Sequence, residues 1–216
     1  MDPLKHLIKG SRQQYDKDKL SEENLLESPF DLFTQWLQLA VDSKVHEPIA
    51  MNLATVNKEG HPSSRIVLMR GFDENGIVFF SNYASKKGEQ LSFNTAAAVN
   101  FYWLELHKQI RIEGFTSKVP DQVSDEYFNS RPRESQISAW ASLQSHILKS
   151  RQELDDRVAA IEKKYLNSEV PRPSNWGGYV LKPHIFEFWQ GRPDRLHDRF
   201  QYTLQNENWK IDRLSP

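Results

Sequence analysis

Apolar positions along this chain recur with two periods. Between residues 29 and 41, Phe30, Phe33, Leu37, Ala40 and Val41 fall at helical spacing behind Ser28 and Pro29. A cap followed by proline at the first helical position predicts an amphipathic helix with those five residues on its buried face. From Ile49 the period drops to two: residues 51–56 and 64–70 read as strands flanking a turn at 58–62, and Asn75-Gly76 predicts a hairpin into 77–81. Ser85 predicts the cap of a short helix to about Phe93, and 96–104 and 109–119 read as two strands joined near 105–108. Pro120 opens a helix carrying Val123, Tyr127 and Phe128, which must end near Arg131-Pro132 because the residue before proline disfavours helix. Leu154, Val158, Ile161 and Tyr165 mark the next helix. Pro171, Pro173 and Gly177-Gly178 predict a loop, followed by strands around 179–181, 185–189 and 209–211. Residues 1–27 are polar and read as a mobile arm ahead of one domain at 28–216.

Consecutive antiparallel strands separated by a few helices predict a mainly β fold, closed or partly closed so that strand edges are protected. A length of 216 residues suits one medium domain, and the 12% aromatic content supplies large buried surfaces to a chain that is only 38% hydrophobic. A net charge of −1 provides no broad field for a polyanion, which argues against general nucleic-acid binding; any basic site must be local. The absence of cysteine excludes disulfides, thiolate metal sites and a cysteine nucleophile, and no metal site is expected. No secretion signal and no apolar run near the ~20 residues of a membrane span are evident, so a cytoplasmic protein without membrane contact is expected. A glycine-rich phosphate loop is also missing, so a nucleotide would have to be held by side chains.

Four segments could do so. Arg65 and Arg70 lie at the two ends of Ile66-Val67-Leu68-Met69, where alternation puts Arg65 with Val67 and Met69 and turns Arg70 to the opposite face. Phe80-Ser81 leads into Ser85-Lys86-Lys87, where hydroxyls, two ammonium groups and helix amides can surround a phosphate. Tyr127, Arg131 and Ser135 place phenol, guanidinium and hydroxyl in nine residues, suited to a second phosphate. Trp189 stands ahead of Arg195, His197 and Arg199, where an indole could cover a planar ring while cations grip its acidic atoms. Gln109, Gln144 and Ser145 add neutral groups suited to an imide edge. Each segment alone also fits surface charges, a solvated loop, helix capping or a core tryptophan.

Taken together and in order, these segments, with 173–178 and the terminal Trp209-Lys210-Ile211-Asp212-Arg213-Leu214, closely resemble the pyridoxine (pyridoxamine) 5′-phosphate oxidase family. The resemblance implies an FMN-binding split β-barrel working as a homodimer. It implies FMN contacts from Arg65, Ile66, Val67, Leu68, Met69, Arg70, Phe80, Ser81, Lys86 and Lys87 of one subunit, and from Gln109, Gln144, Ser145, Trp189 and Arg199 of the other. Arg70, Tyr127, Arg131 and Ser135 would meet the substrate phosphate, Arg195 and His197 the pyridine ring as catalytic groups, and Arg12 and Tyr15 would close over the substrate. The chain departs from the family pattern at Arg70, Lys86 and Phe80, where lysine, arginine and tyrosine are usual; charge is kept at the first two and a hydroxyl is lost at the third.

The implied reaction converts pyridoxine or pyridoxamine 5′-phosphate to pyridoxal 5′-phosphate, with oxygen as acceptor and hydrogen peroxide as product. Two other readings fit the same pattern: a general flavin reductase or oxidase acting on another small molecule, and a non-catalytic carrier of FMN or pyridoxal phosphate.

Overall fold

The computed structural model describes residues 15–216; Arg12 and the rest of 1–14 lie outside them. The chain divides into two compact units that it visits alternately. One comprises the described residues up to Pro48, Phe101–Arg111 and Ile185–Pro216; the other comprises Ile49–Asn100 and Ile112–His184. Nine strands follow the order β2-β1-β5-β6-β7-β4-β3, with β8 on β7 and β9 on β8. The long strands β5 (Ala96–Trp103), β6 (Lys108–Lys118) and β7 (Trp176–Gln190) contribute residues to both units. Five α-helices are present among the described residues.

In the first unit, helix α1 (Pro29–Asp42) starts where the cap signal puts it: Ser28 Oγ accepts from Phe30 N at 3.2 Å and Asp31 N at 3.4 Å. Its buried stripe is Leu32, Phe33, Trp36 and Ala40, whereas Val41, expected on that face, is 51% exposed. The stripe is rotated because Leu32 and Trp36 give it larger apolar side chains to bury than Val41 does. Phe33 meets Phe101 and Trp36 meets Phe188 edge-on, with ring centroids at 5.3 and 5.2 Å. Strand β7 pairs with β8 (Asp198–Gln205), and β8 with β9 (Asn208–Arg213), through a two-residue turn at Asn206 (φ 48°) and Glu207 (φ 68°). Positive φ at both positions matches the twist of a tight hairpin, but only Asn206 is a residue that signals it.

In the second unit, β1 (Ala50–Val56) pairs with β2 (Pro62–Leu68) on one side and β5 on the other, while β4 (Gly76–Asn82) pairs with the short β3 (Gly71–Asp73) and with β7. Helix α2 (Lys86–Phe93) begins at the Ser85 cap, and α3 (Asp121–Ser130) stops before Pro132 as the proline demands. Pro132 then opens a further helix, α4 (Arg133–Ala141), ahead of α5 (Arg151–Lys164). The loop expected at Gly177-Gly178 is instead the start of β7, a single strand where two were expected. A Cβ on Gly177 would run into the Tyr83 hydroxyl and lie 2.9 Å from Ser124 Oγ, and one on Gly178 would lie 2.6 Å from Val119 Cγ2. These glycines serve close packing inside a strand and do not make a turn.

Candidate functional site

Lys87 is the centre of the second unit's polar chemistry. Helix α2 turns it inward, only 7% exposed, where its ammonium donates to Ser81 Oγ (2.9 Å), Ser85 Oγ (3.0 Å) and Gln144 Oε1 (2.8 Å). All three partners are neutral. Burial first, and the nearby Arg65 charge second, push its pKa down to about 8. Gly88 lets the first turn of α2 pass the Tyr83 carbonyl, which a Cβ there would strike.

Arg65 is held from below by β1 and β2. Its Nη1 donates to Thr55 Oγ1 (2.6 Å), Leu53 O (3.1 Å) and Ser63 O (3.2 Å), and its Nη2 to Ser63 Oγ (2.7 Å). Gln90 on α2 accepts from Thr55 and Ser63 in turn, locking the hydroxyls that orient the guanidinium. Thr55, Ser63 and Gln90 were not singled out from sequence. Only Ser63 carries a local signal, two positions before Arg65 on the same face of β2.

Ser63, Arg65, Ser81, Lys87 and Gln144 line a cavity of about 940 Å³ together with Ile66, Val67, Leu68, Arg70, Phe80, Lys86, Tyr127, Arg131, Ser135, Ser145 and Trp176. The two arginine segments, the lysine pair and the Tyr127-to-Ser135 cluster, far apart in sequence, therefore open onto one space. Five cations reach it, and no aspartate or glutamate stands among its described lining residues. Such a cavity suits anions, and its volume falls within the range of cofactor sites. Arg131 Nη1 is buried without a hydrogen-bond partner among the described residues, and burial lowers the Arg131 pKa, with Arg70 repulsion adding to it. Phe80, Tyr127 and Trp176 offer nearly parallel rings: 3.9 Å and 19° for the first pair, 5.5 Å and 14° for Phe80 with Trp176. Three expectations change. Met69 is 5% exposed and is not a lining residue, because its side chain is packed into the core. Gln144 and Ser145, expected from the opposite subunit, line this cavity in the same chain. Ser145 does so at φ 72°, a left-handed backbone that non-glycine residues adopt at a cost.

Gln109, Trp189, Arg195, His197, Arg199 and Tyr15 belong to the first unit. Trp189 and His197 have ring centroids 4.6 Å apart, and Tyr15 meets Trp189, His197 and His107 edge-on at 5.8, 5.7 and 4.6 Å. Within the stretch from Arg195 to Phe200, β8 begins at Asp198, and Arg199 pairs across to Trp189. Arg199 Nε and Arg111 Nη1 each donate to the buried Glu187 carboxylate at 2.9 Å. Arg195 is exposed at φ 63°, directly after Asp194 at φ 57°, two successive left-handed residues in the Gly191-to-His197 turn. His197 Nδ1 accepts from Arg192 N at 3.1 Å, so in the neutral ring the proton sits on Nε2. Burial and then the Arg195 charge depress its pKa, against the opposing pull of Asp198. Nε2 is then the ring nitrogen left to donate a hydrogen bond.

This predominantly β chain, with its cation-lined cavity, is of the split-barrel class. Comparison with known proteins makes the class particular. Residues 37–165 match the family described as Pyridoxamine 5′-phosphate oxidase, and residues 176–216 match a Pyridoxine 5′-phosphate oxidase C-terminal dimerisation region. Relatives named pyridoxine/pyridoxamine 5′-phosphate oxidase include one from Bordetella pertussis, 52% identical over 97% of this chain and 99% of its own, and one from Acaryochloris marina, 46% identical over 100% and 99%. The crystal structure of PhzG from Burkholderia lata 383 in complex with tetrahydrophenazine-1-carboxylic acid superposes with a TM-score of 0.86 at 33% identity, covering 92% of this chain and 98% of that one. This chain belongs to the pyridoxamine 5′-phosphate oxidase family and is an oxidoreductase.

Proposed function

We propose that the chain, as a homodimer in the cytoplasm, oxidises pyridoxine 5′-phosphate and pyridoxamine 5′-phosphate to pyridoxal 5′-phosphate, with FMN as cofactor and oxygen as final acceptor. The observation that carries the reading is the single cavity reached by Arg65, Arg70, Lys86, Lys87 and Arg131 with no carboxylate in its described lining. One phosphate would leave cationic groups unmatched; two phosphates, one from a cofactor and one from a substrate, match them better.

Arg65, Lys86, Lys87 and Ser81 would hold the FMN phosphate, with the α2 amides adding their partial charge. Ile66, Val67, Leu68 and Arg70, with Gln144 and Ser145, would flank the flavin, and the partner subunit's Gln109, Trp189 and Arg199 would complete it. The matched dimerisation region supports the second subunit's share. When bound, FMN supplies the hydride acceptor and passes the electrons to oxygen, giving hydrogen peroxide.

Arg70, Tyr127, Arg131 and Ser135 would grip the substrate phosphate, fixing the pyridine ring at a distance set by the ester. Arg195 would orient and polarise the ring, with His197 donating from Nε2. The alcohol gives the aldehyde directly; the amine gives an imine that water converts to the aldehyde and ammonia. Tyr15, stacked edge-on against Trp189 and His197, would exclude water as part of an N-terminal arm, 1–27, ahead of a catalytic domain at 28–216.

The test is direct. Purified protein should carry a yellow flavin absorption and, with pyridoxamine 5′-phosphate in air, form aldehyde and peroxide in equal amounts. Colour without turnover would replace this reading with a carrier, and turnover only with unphosphorylated reductants would replace it with a general flavoenzyme.

A further inference from the structure

Arginines in this protein that are held firmly are mostly held by acids. Arg172 donates to Asp121 (2.9 Å) and Asp125 (2.6 Å), Arg199 to Glu187 (2.9 Å), and Arg213 to Glu22 (2.8 and 2.9 Å). Arg131 is held differently. Its guanidinium carbon lies 4.6 Å from the Trp176 ring centroid and 5.5 Å from that of Phe128, and the cavity it enters has no acid among its described lining residues.

The difference has chemical consequences. A carboxylate would neutralise the guanidinium and occupy two of its five N–H donors. An indole face attracts the cation through its quadrupole and leaves the in-plane donors free. Arg131 Nη1 is such a donor, buried and without a partner among the described residues. Trp176 can serve as a fixed platform because it is itself anchored. It opens β7 opposite Asn82, meets Phe128 edge-on at 5.2 Å, and its carbonyl accepts from Arg172 Nη1 at 2.8 Å. Phe80, the residue without the hydroxyl usual at its position, lies nearly parallel to both Trp176 and Tyr127, and the Tyr127 face carries Arg70 at 5.9 Å.

We propose that Trp176 is a positioning residue for the substrate phosphate: its indole face holds the Arg131 guanidinium in place of a carboxylate, so that Nη1 stays available to a phosphoryl oxygen. The proposal rests on the reading that Arg131 meets the phosphate ester.

The FMN-loaded protein tests it through two readouts, steady-state kinetics and calorimetric binding of the product pyridoxal 5′-phosphate. Trp176→Phe keeps an aromatic face and should hold both KM for pyridoxamine 5′-phosphate and product affinity within about threefold, whereas Trp176→Leu should weaken both about tenfold with kcat little changed. FMN affinity and KM for unphosphorylated pyridoxamine should not move. Because Trp176 packs in a core cluster with Phe128, Ile137 and Val170, the leucine variant can lose its fold. Mono-, di- and trifluorinated indoles introduced at 176 keep the shape while draining the ring face, and product affinity should fall stepwise along that series. Constant affinity along the series, or equal loss for phosphorylated and unphosphorylated ligands, overturns the proposal. Arg131→Met separates the two levels. If it weakens phosphate-ester binding while changes at 176 do not, only the platform role is lost; if it leaves binding intact, the phosphate assignment of Arg131 fails and the proposal with it.

Discussion

Lys87 Nζ and Gln144 Oε1 lie 2.8 Å apart, a hydrogen bond that ties helix α2 to the segment between α4 and α5. An ammonium buried to this extent normally has an acid beside it; here it has two serines and an amide.

That arrangement predicts the pH dependence of cofactor binding. With its pKa pushed down to about 8, Lys87 is mostly charged at neutral pH and loses its proton as pH rises further. The FMN phosphate stays a dianion throughout, its second pKa being about 6. Affinity of the apoprotein for FMN, followed by flavin fluorescence, should be flat between about pH 7 and 8 and fall above it, and Lys87→Met should weaken binding at least about tenfold and abolish the fall above pH 8. For the ligand-free protein the sign is opposite. The folded state favours the neutral amine, so this group's contribution to stability increases as pH climbs from about 8 toward its ordinary 10.5. Flat FMN affinity to pH 9.5 would contradict the assignment.

His197 should stay neutral through the physiological range, since burial and Arg195 hold its pKa below 6.5. A depressed histidine favours the folded state when unprotonated, so its stabilising contribution is present above 6.5 and is lost as pH falls through its folded pKa. With FMN saturating, kcat/KM should be constant above about 6.5 and drop on the acid side, where a proton on Nδ1 breaks its bond from Arg192 N and releases the ring. Arg195→Gln should reduce kcat/KM by at least about tenfold while leaving the Tm within about 2 °C, since the residue is exposed. Unchanged steady-state kinetics would remove its role.

Glu187 is 4% exposed and accepts from two arginines on neighbouring strands. Its replacement by alanine leaves Arg111 and Arg199 facing each other without their shared acid, at a cost of about 2–4 kcal/mol. Urea unfolding should show the loss in midpoint. Because both arginines reach solvent, Glu187→Gln, which keeps one acceptor, should recover part of it.

Gly177→Ala places a methyl against the Tyr83 hydroxyl, which itself donates to Gly178 O at 3.2 Å. We expect about 1–3 kcal/mol of destabilisation, read as a Tm lower by a few degrees, together with weaker FMN binding because Ser81 pairs with Gly177 across β4 and β7. An unchanged Tm would mean that Tyr83 yields without loss.

Much of the architecture was legible in local pattern. Ser28-Pro29, Ser85 and Pro132 act within one turn of themselves, so the starts of α1 and α2 and the end of α3 fell close to where those residues stand. The errors share a different cause. Gly177-Gly178 resemble a turn locally, yet they are strand residues because of Tyr83, Ser124, Val119 and Phe80, none of them within 40 residues in sequence. The β8–β9 turn at Asn206-Glu207 gave only half of its usual signal, and with it β8 was missed.

The order of residue types along the chain was enough to establish the family and to single out most of the side chains that line the cation-rich cavity, because those depend on charge, hydroxyl and ring content that each residue carries wherever it lies. Which groups share a wall did not follow from order. That Lys87 is satisfied by Gln144 of its own chain and that Arg131 rests on Trp176 are relations across tens of residues, set when strands pair and side chains are pressed together. Distance and burial, which govern charge and hydrogen bonding, exist only once the chain has folded.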